Sequence, residues 1–198
     1  MVLSLETLNY LQEEQRKLDI FIHQQNGLEM KDTFYLRKLA LLVEIGEVAN
    51  ELKSFKYWKK DKEINLEKVQ EELIDCLHFF LSLANCSQID FTNCRFRKFS
   101  EQEKKFDLDR MNRLLINIFC KTKFTLPLTD QHHLYYKENL NKKNDSIILE
   151  YLKRRSLYRS WLGYFEEICW RVGLNEKKLL ETYDRKNKIN QERQLNNY

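Results

Sequence analysis

Four glycines and a single proline, Pro127, are all that 198 residues contain. Sheets and hairpins use both at their reversals, because glycine supplies positive φ and proline presets the turn. A chain this poor in them is predicted to be all-α. Its length allows one domain with a sizeable core. Apolar residues recurring at three- and four-residue spacing predict helices at about 4–24, 33–58, 65–86, 101–121, 146–172 and 175–184. There is no tandem repeat. The least regular stretch includes "LPLTDQHHLYYKENLNKKND" and the proline. Residues 90–144 are therefore expected to form a variable insertion or lid within a single domain spanning 1–198, since they hold too few periodic apolar residues for a core of their own.

The net charge of +4 comes from 34 basic and 30 acidic residues that are interspersed rather than gathered in a block. Charge therefore gives no indication of nucleic-acid binding. Five cysteines, without Cys-x-x-Cys or zinc spacing, read as reduced thiols in a cytosol. The amino terminus has no basic leader followed by an apolar segment, and no run approaches the roughly 18 apolar residues of a membrane span. The expectation is a soluble, cytoplasmic protein.

Three helices carry polar residues within or bordering their apolar stripes. In the first, Leu8, Leu11, Leu18 and Ile22 mark an inward face, and Gln15 occupies its centre. That amide is either satisfied by neighbouring backbone or water, or it reads a polar ligand edge through its combined donors and acceptors. In the second, Leu41, Ile45, Val48, Leu52 and Phe55 form an apolar stripe bordered by Ala40, Glu44, Glu47, Glu51 and Trp58. Leu39 and Val43 lie on a further side, which predicts packing on more than one face. In the third, Val69, Leu73, Cys76, Phe80 and Ala84 point inward with Glu72 and Asp75 on the border, while Glu71 and His78 lie farther round.

One E-x-x-E in so acidic a chain is usually a solvated face. Two acidic pairs on consecutive helices, each bordering an apolar stripe, make a candidate metal site. Like charges at this spacing repel by a few tenths of a kcal/mol each. If the two helices pack antiparallel, Glu44, Glu47, Glu72 and Asp75 share one cleft that calls for a hard cation. Oxygen-only ligation favours Mg²⁺ or Mn²⁺ over zinc.

"EIGE" (44–47) followed after 24 residues by "ELID" (72–75) resembles the E-x-x-E…E-x-x-D signature of the all-α NTP pyrophosphatase superfamily, which includes MazG-like enzymes and dimeric dUTPases. "EQRKLD" (14–19), "FKYWKK" (55–60), "EELIDCLHFFLSLA" (71–84) and the tail "YDRKNKINQERQ" (183–194) resemble segments of the dimeric dUTPases. The likeness covers about 8–86 and 161–194. It implies a helical bundle of that kind, acting as a homodimeric, Mg²⁺-dependent dUTP diphosphatase that yields dUMP and pyrophosphate and also accepts dUDP.

By that resemblance Glu44, Glu47, Glu72 and Asp75 hold metal, and Glu47 also orients and deprotonates the attacking water. Gln15 contacts the uracil edge, Trp58 contributes an aromatic wall, and His78 supports the site from behind. Asp19 stands where some relatives have asparagine. Lys186, Asn187, Asn190 and Arg193, at i, i+1, i+4 and i+7, line one face if the tail is helical, and they meet the phosphates; otherwise the tail is a frayed, solvated end. Tyr183 packs either against the deoxyribose or in the core. Two other readings stay open: a pyrophosphatase for another nucleotide such as dCTP or a modified base, and a non-catalytic helical module binding nucleotide or protein.

Overall fold

The computed structural model describes residues 2–60, 63–92, 94, 98–100, 106–125, 135–136, 138–142 and 145–196. Six helices are delimited among them: α1 Leu5–Asn26, α2 Phe34–Leu52, α3 Leu66–Cys86, α4 Leu108–Lys121, α5 Ser146–Arg171 and α6 Glu176–Leu195. The all-α expectation holds. Polar side chains start five of the six, because the first N–H groups of a helix lack internal partners. Ser4 Oγ accepts from Thr7 N at 3.1 Å, and Asn65, Asp107, Asp145 and Asn175 cap α3 to α6 in the same way. Gly27, at φ +62°, closes α1 in the left-handed conformation that lacks a penalty only for glycine.

Three boundaries differ from those predicted. The second helix ends at Leu52, not 58, because Lys53 turns left-handed at φ 52° and 53–59 continue as turns. Phe55 and Trp58 therefore leave the helical strips assigned to them, and both are exposed. The fourth helix starts at Leu108; residues 101–105 of the predicted span, like Pro127, lie outside the described residues. The last helix continues eleven residues past the predicted end at 184, to Leu195. Nothing in 185–195 breaks a helix, and its inward residues Tyr183 and Asn187 are buried.

α3 is the centre of the bundle: twelve of its 21 residues are buried, and α1, α2, α5 and α6 all pack on it. α2 runs antiparallel to it, since Arg37 meets Ser82 near one end, Glu44 meets Asp75 in the middle and Lys53 reaches Glu63 at the other. α6 runs parallel to α1, tied by Ser4 to Glu176, Tyr10 to Asp184 and Asn26 to Gln194. The core is aromatic on the α5 side. Phe80 stacks on Trp161 at 4.1 Å between ring centroids, and Phe124 on Tyr158 at 3.9 Å.

Within 90–144, α4 contributes Met111, Leu114, Leu115 and Ile118 to this main core, whereas Tyr136 joins Ile148 and Tyr151 in a small separate cluster. Glu167, almost fully buried, is held by a two-pronged contact from Arg110 at 2.7 and 2.8 Å and by Arg171 at 2.9 Å, which clamps α4 to α5.

Removing the Phe80 ring leaves a void between α3 and α5. Phe80→Ala is expected to lower unfolding free energy by about 3–5 kcal/mol in a urea titration.

Candidate active site

Hydrophobic packing along the α2–α3 seam dictates where the carboxylates go. Leu41, Ile45 and Val48 of α2 and Leu73, Cys76 and Phe80 of α3 are buried in one core cluster, and α2 packs along α3, so carboxylates bordering those stripes meet at the seam. Carboxylate oxygens of Glu44, Glu72 and Asp75 lie within 4.8 Å of one another, the acidic cluster found among the described residues. Partial burial and the charges of Asp75 and Glu72 push the Glu44 carboxyl up to about 7. Burial also raises Glu72, with Lys186 pulling the other way and Asp75 adding to the rise. Carboxyls displaced upward together are short of positive charge, so an all-oxygen, three-carboxylate cluster fits a hard divalent cation.

Glu47 is not in the cluster. It is exposed one turn beyond Glu44, close enough for its charge to act on Glu44 and Glu72. Glu51, on the same strip, also acts on Glu72.

Behind the cluster lies a buried polar hub centred on Gln15, which is 4% exposed. Its Nε2 donates to Asp19 Oδ1 at 2.8 Å, and its Oε1 is 2.8 Å from both His78 Nδ1 and Tyr183 Oη. An amide oxygen only accepts, so the His78 ring carries its proton on Nδ1. Burial, reinforced by the charge of Lys186, pushes the His78 pKa down to about 3, which keeps the ring neutral. The His78 and Tyr183 rings stack at 4.0 Å. Asp19 is buried, which raises its carboxyl, while Gln15, Ser82 and Arg37 act in the opposite direction.

The predicted residues thus fall into three groups. Glu44, Glu72 and Asp75 converge. Gln15, His78 and Tyr183 converge on each other, so Tyr183, expected against a sugar or in the core, is core: wholly buried, with its ring on His78. His78, predicted on the outer side with Glu71, is buried because that side of α3 faces α1 and α6.

Lys186, Asn187, Asn190 and Arg193 share one face of α6, Asn187 buried and Arg193 exposed. Lys186 pairs with Asp75 and Arg185 with Glu71 at 2.7 Å. Trp58 stands apart, 62% exposed, its ring edge-on to Tyr57. Periodicity on separate helices carries no signal for the contacts among Gln15, His78 and Tyr183, or for that between Lys186 and Asp75.

A carboxylate cluster between two antiparallel helices, flanked by a helix that offers cations, has the donor set for a hard cation and for phosphate oxygens. A family model described as dUTPase matches residues 7–198, including the middle of the chain where the motif likeness lapses, and the chain belongs to that family. It is a dUTP diphosphatase. The family is generally metal-dependent, in keeping with the acidic cluster. No individual curated protein matches the chain.

The Glu44 shift has a consequence for stability. With its pKa raised from 4.5 to about 7, the folded state binds the proton more tightly than the unfolded state. Glu44 therefore stabilises fully below pH 4.5, and that contribution is lost as pH rises to about 7. Metal-free protein is expected to melt at falling temperature across this window, and Glu44→Gln to flatten the decline and raise the melting temperature above pH 7. Differential scanning fluorimetry in chelator reads both.

Proposed function

We propose that the chain converts dUTP to dUMP and pyrophosphate, and dUDP to dUMP and phosphate, by Mg²⁺-dependent water attack at Glu44, Glu47, Glu72 and Asp75, with Mn²⁺ as a substitute. The observation that carries this reading is the convergence of Glu44, Glu72 and Asp75 within 4.8 Å beside a cation-bearing helix face. Bound there, the metal neutralises charge between carboxylates and phosphates and stabilises charge developing in the transition state. Glu47, exposed at the rim, orients the attacking water and takes its proton. Lys186, Asn187, Asn190 and Arg193 hold phosphate oxygens, Lys186 as a point charge and Arg193 through paired N–H groups.

Gln15 gives the base reading a physical sign. His78 and Tyr183 occupy its carbonyl, and Asp19 takes one of its two N–H groups. What remains is a donor, complementary to a uracil carbonyl and mismatched to the amino group of cytosine. His78 and Tyr183 act on substrate through Gln15, and Trp58 covers the base from the turn after α2.

The enzyme works as a cytoplasmic homodimer in this reading. The side of α2 opposite the core carries Tyr35, Leu36, Leu39 and Val43, all exposed, and Leu39 is 60% so. Phe119 of α4 lines the same groove as Tyr35 and Leu42 and extends the patch. Gly46 lies amid this face, and a Cβ there would meet nothing within 4 Å. Glycine inside a helix costs about 1 kcal/mol relative to alanine, and close approach of a second copy accounts for it. For the compartment, the five cysteines are free thiols and no helix among the described residues is long and apolar enough to cross a membrane.

Incubation with each nucleoside triphosphate and Mg²⁺, followed by product identification, tests the activity. Pyrophosphate and dUMP from dUTP are expected; preferential turnover of dCTP or a modified nucleotide overturns the base reading, and turnover of none leaves a binding module. Glu47→Gln is expected to lower turnover at least ~100-fold with circular dichroism unchanged. Leu39→Asp is expected to give a folded monomer by light scattering; an unaltered dimer removes α2 from the interface.

A further inference from the structure

α6 offers two neighbouring cations to α3, and they do different things. Arg185 pairs with Glu71 on the solvent side, both half exposed. Lys186 turns into the cluster and pairs with Asp75 Oδ2, with side-chain exposures of only 16% and 27%. Asp75 is one of the three clustered carboxylates, and the same ammonium acts electrostatically on Glu44 and Glu72. Asp75 Oδ2 is thus already occupied by a cation. A divalent ion entering the cluster meets that ammonium at close range, and the repulsion is strong in a partly enclosed site.

We propose that Lys186 is an internal counter-cation which competes with the divalent metal in the nucleotide-free enzyme, and that substrate phosphate relieves the competition by drawing the ammonium off Asp75. This rests on the metal and phosphate roles given above. The exchange keeps every charge paired: the ammonium passes from carboxylate to phosphate, and the metal takes its place. The backbone of α6 need not move, because Tyr183 and Asn187, on either side of Lys186, are buried. The four-carbon lysine stem supplies the reach. Metal and nucleotide then strengthen each other's binding by the same factor, as linkage requires.

Mn²⁺ titration of nucleotide-free protein, followed by the electron paramagnetic resonance signal of free Mn²⁺, reads the competition without turnover. Lys186→Met is expected to bind Mn²⁺ about tenfold more tightly, the effect of one pK unit of charge interaction. Lys186→Arg, which keeps the charge, and Arg185→Met, which removes a charge outside the cluster, are expected to stay near wild type. Glu72→Gln is expected to lose most of the binding. Equal or weaker binding by Lys186→Met, with Glu72→Gln still impaired, rejects the competition and keeps the metal site. An equal gain in Arg185→Met also rejects it, because net charge alone then accounts for the effect. Wild-type binding by Glu72→Gln rejects the metal site itself. Thermal melts verify folding, and Lys186→Gln supplies the same comparison if the methionine variant melts at reduced temperature.

Discussion

Packing α2 on α3 forces Glu44, Glu72 and Asp75 into one space, and much of the molecule is arranged around the repulsion this creates. The seam closes because each fully buried Leu, Ile, Val or Phe contributes about 1.5–3 kcal/mol. Leu41, Ile45, Val48, Leu73 and Phe80 together exceed the repulsion among partly hydrated carboxylates. The same stripes that build the core therefore hold the acids in place. Proton uptake by Glu44 and the ammonium of Lys186 relieve part of that repulsion, and a cation bound as proposed would relieve more.

α6 is the second organising element. Running parallel to α1 and resting on α3, it delivers Tyr183 to the Gln15 hub and Lys186 to the carboxylates from adjacent turns. The hub and the cluster are thus positioned by one rigid helix. That geometry sets the residues proposed to read the base and those proposed to meet metal and phosphate on neighbouring turns of the same helix.

α2 serves three environments around its circumference. Its inner stripe is core, its border carries Glu44, Glu47 and Glu51, and its outer side exposes Leu36, Leu39, Val43 and Gly46. In the proposed dimer the acidic border lies between two apolar contacts, which restricts water around the carboxylates and sharpens the demand for a counter-cation.

Scarcity of glycine and proline settled the helical class, because turns cannot be made without suitable residues. Periodicity found an inward stripe on each of the first three helices, though α3 is buried on further sides and takes His78 inside as well. The border positions of Glu44, Glu72 and Asp75 followed from 3.6-residue geometry alone. Where the pattern ran past a local backbone event it misled: Phe55 and Trp58 continue the periodicity of α2, but the left-handed Lys53 ends the helix first. The polar tail offered no apolar stripe to extend α6 beyond 184, yet buried Tyr183 and Asn187 and the Asn26–Gln194 contact hold it helical. Beyond the cleft expected between α2 and α3, pairings between elements were not legible. That Gln15 meets His78 and Tyr183, that Lys186 meets Asp75, and that Glu47 stands outside the cluster depend on how helices far apart in sequence are laid together. Side-chain periodicity fixes the face a residue occupies, and only tertiary packing fixes what that face meets.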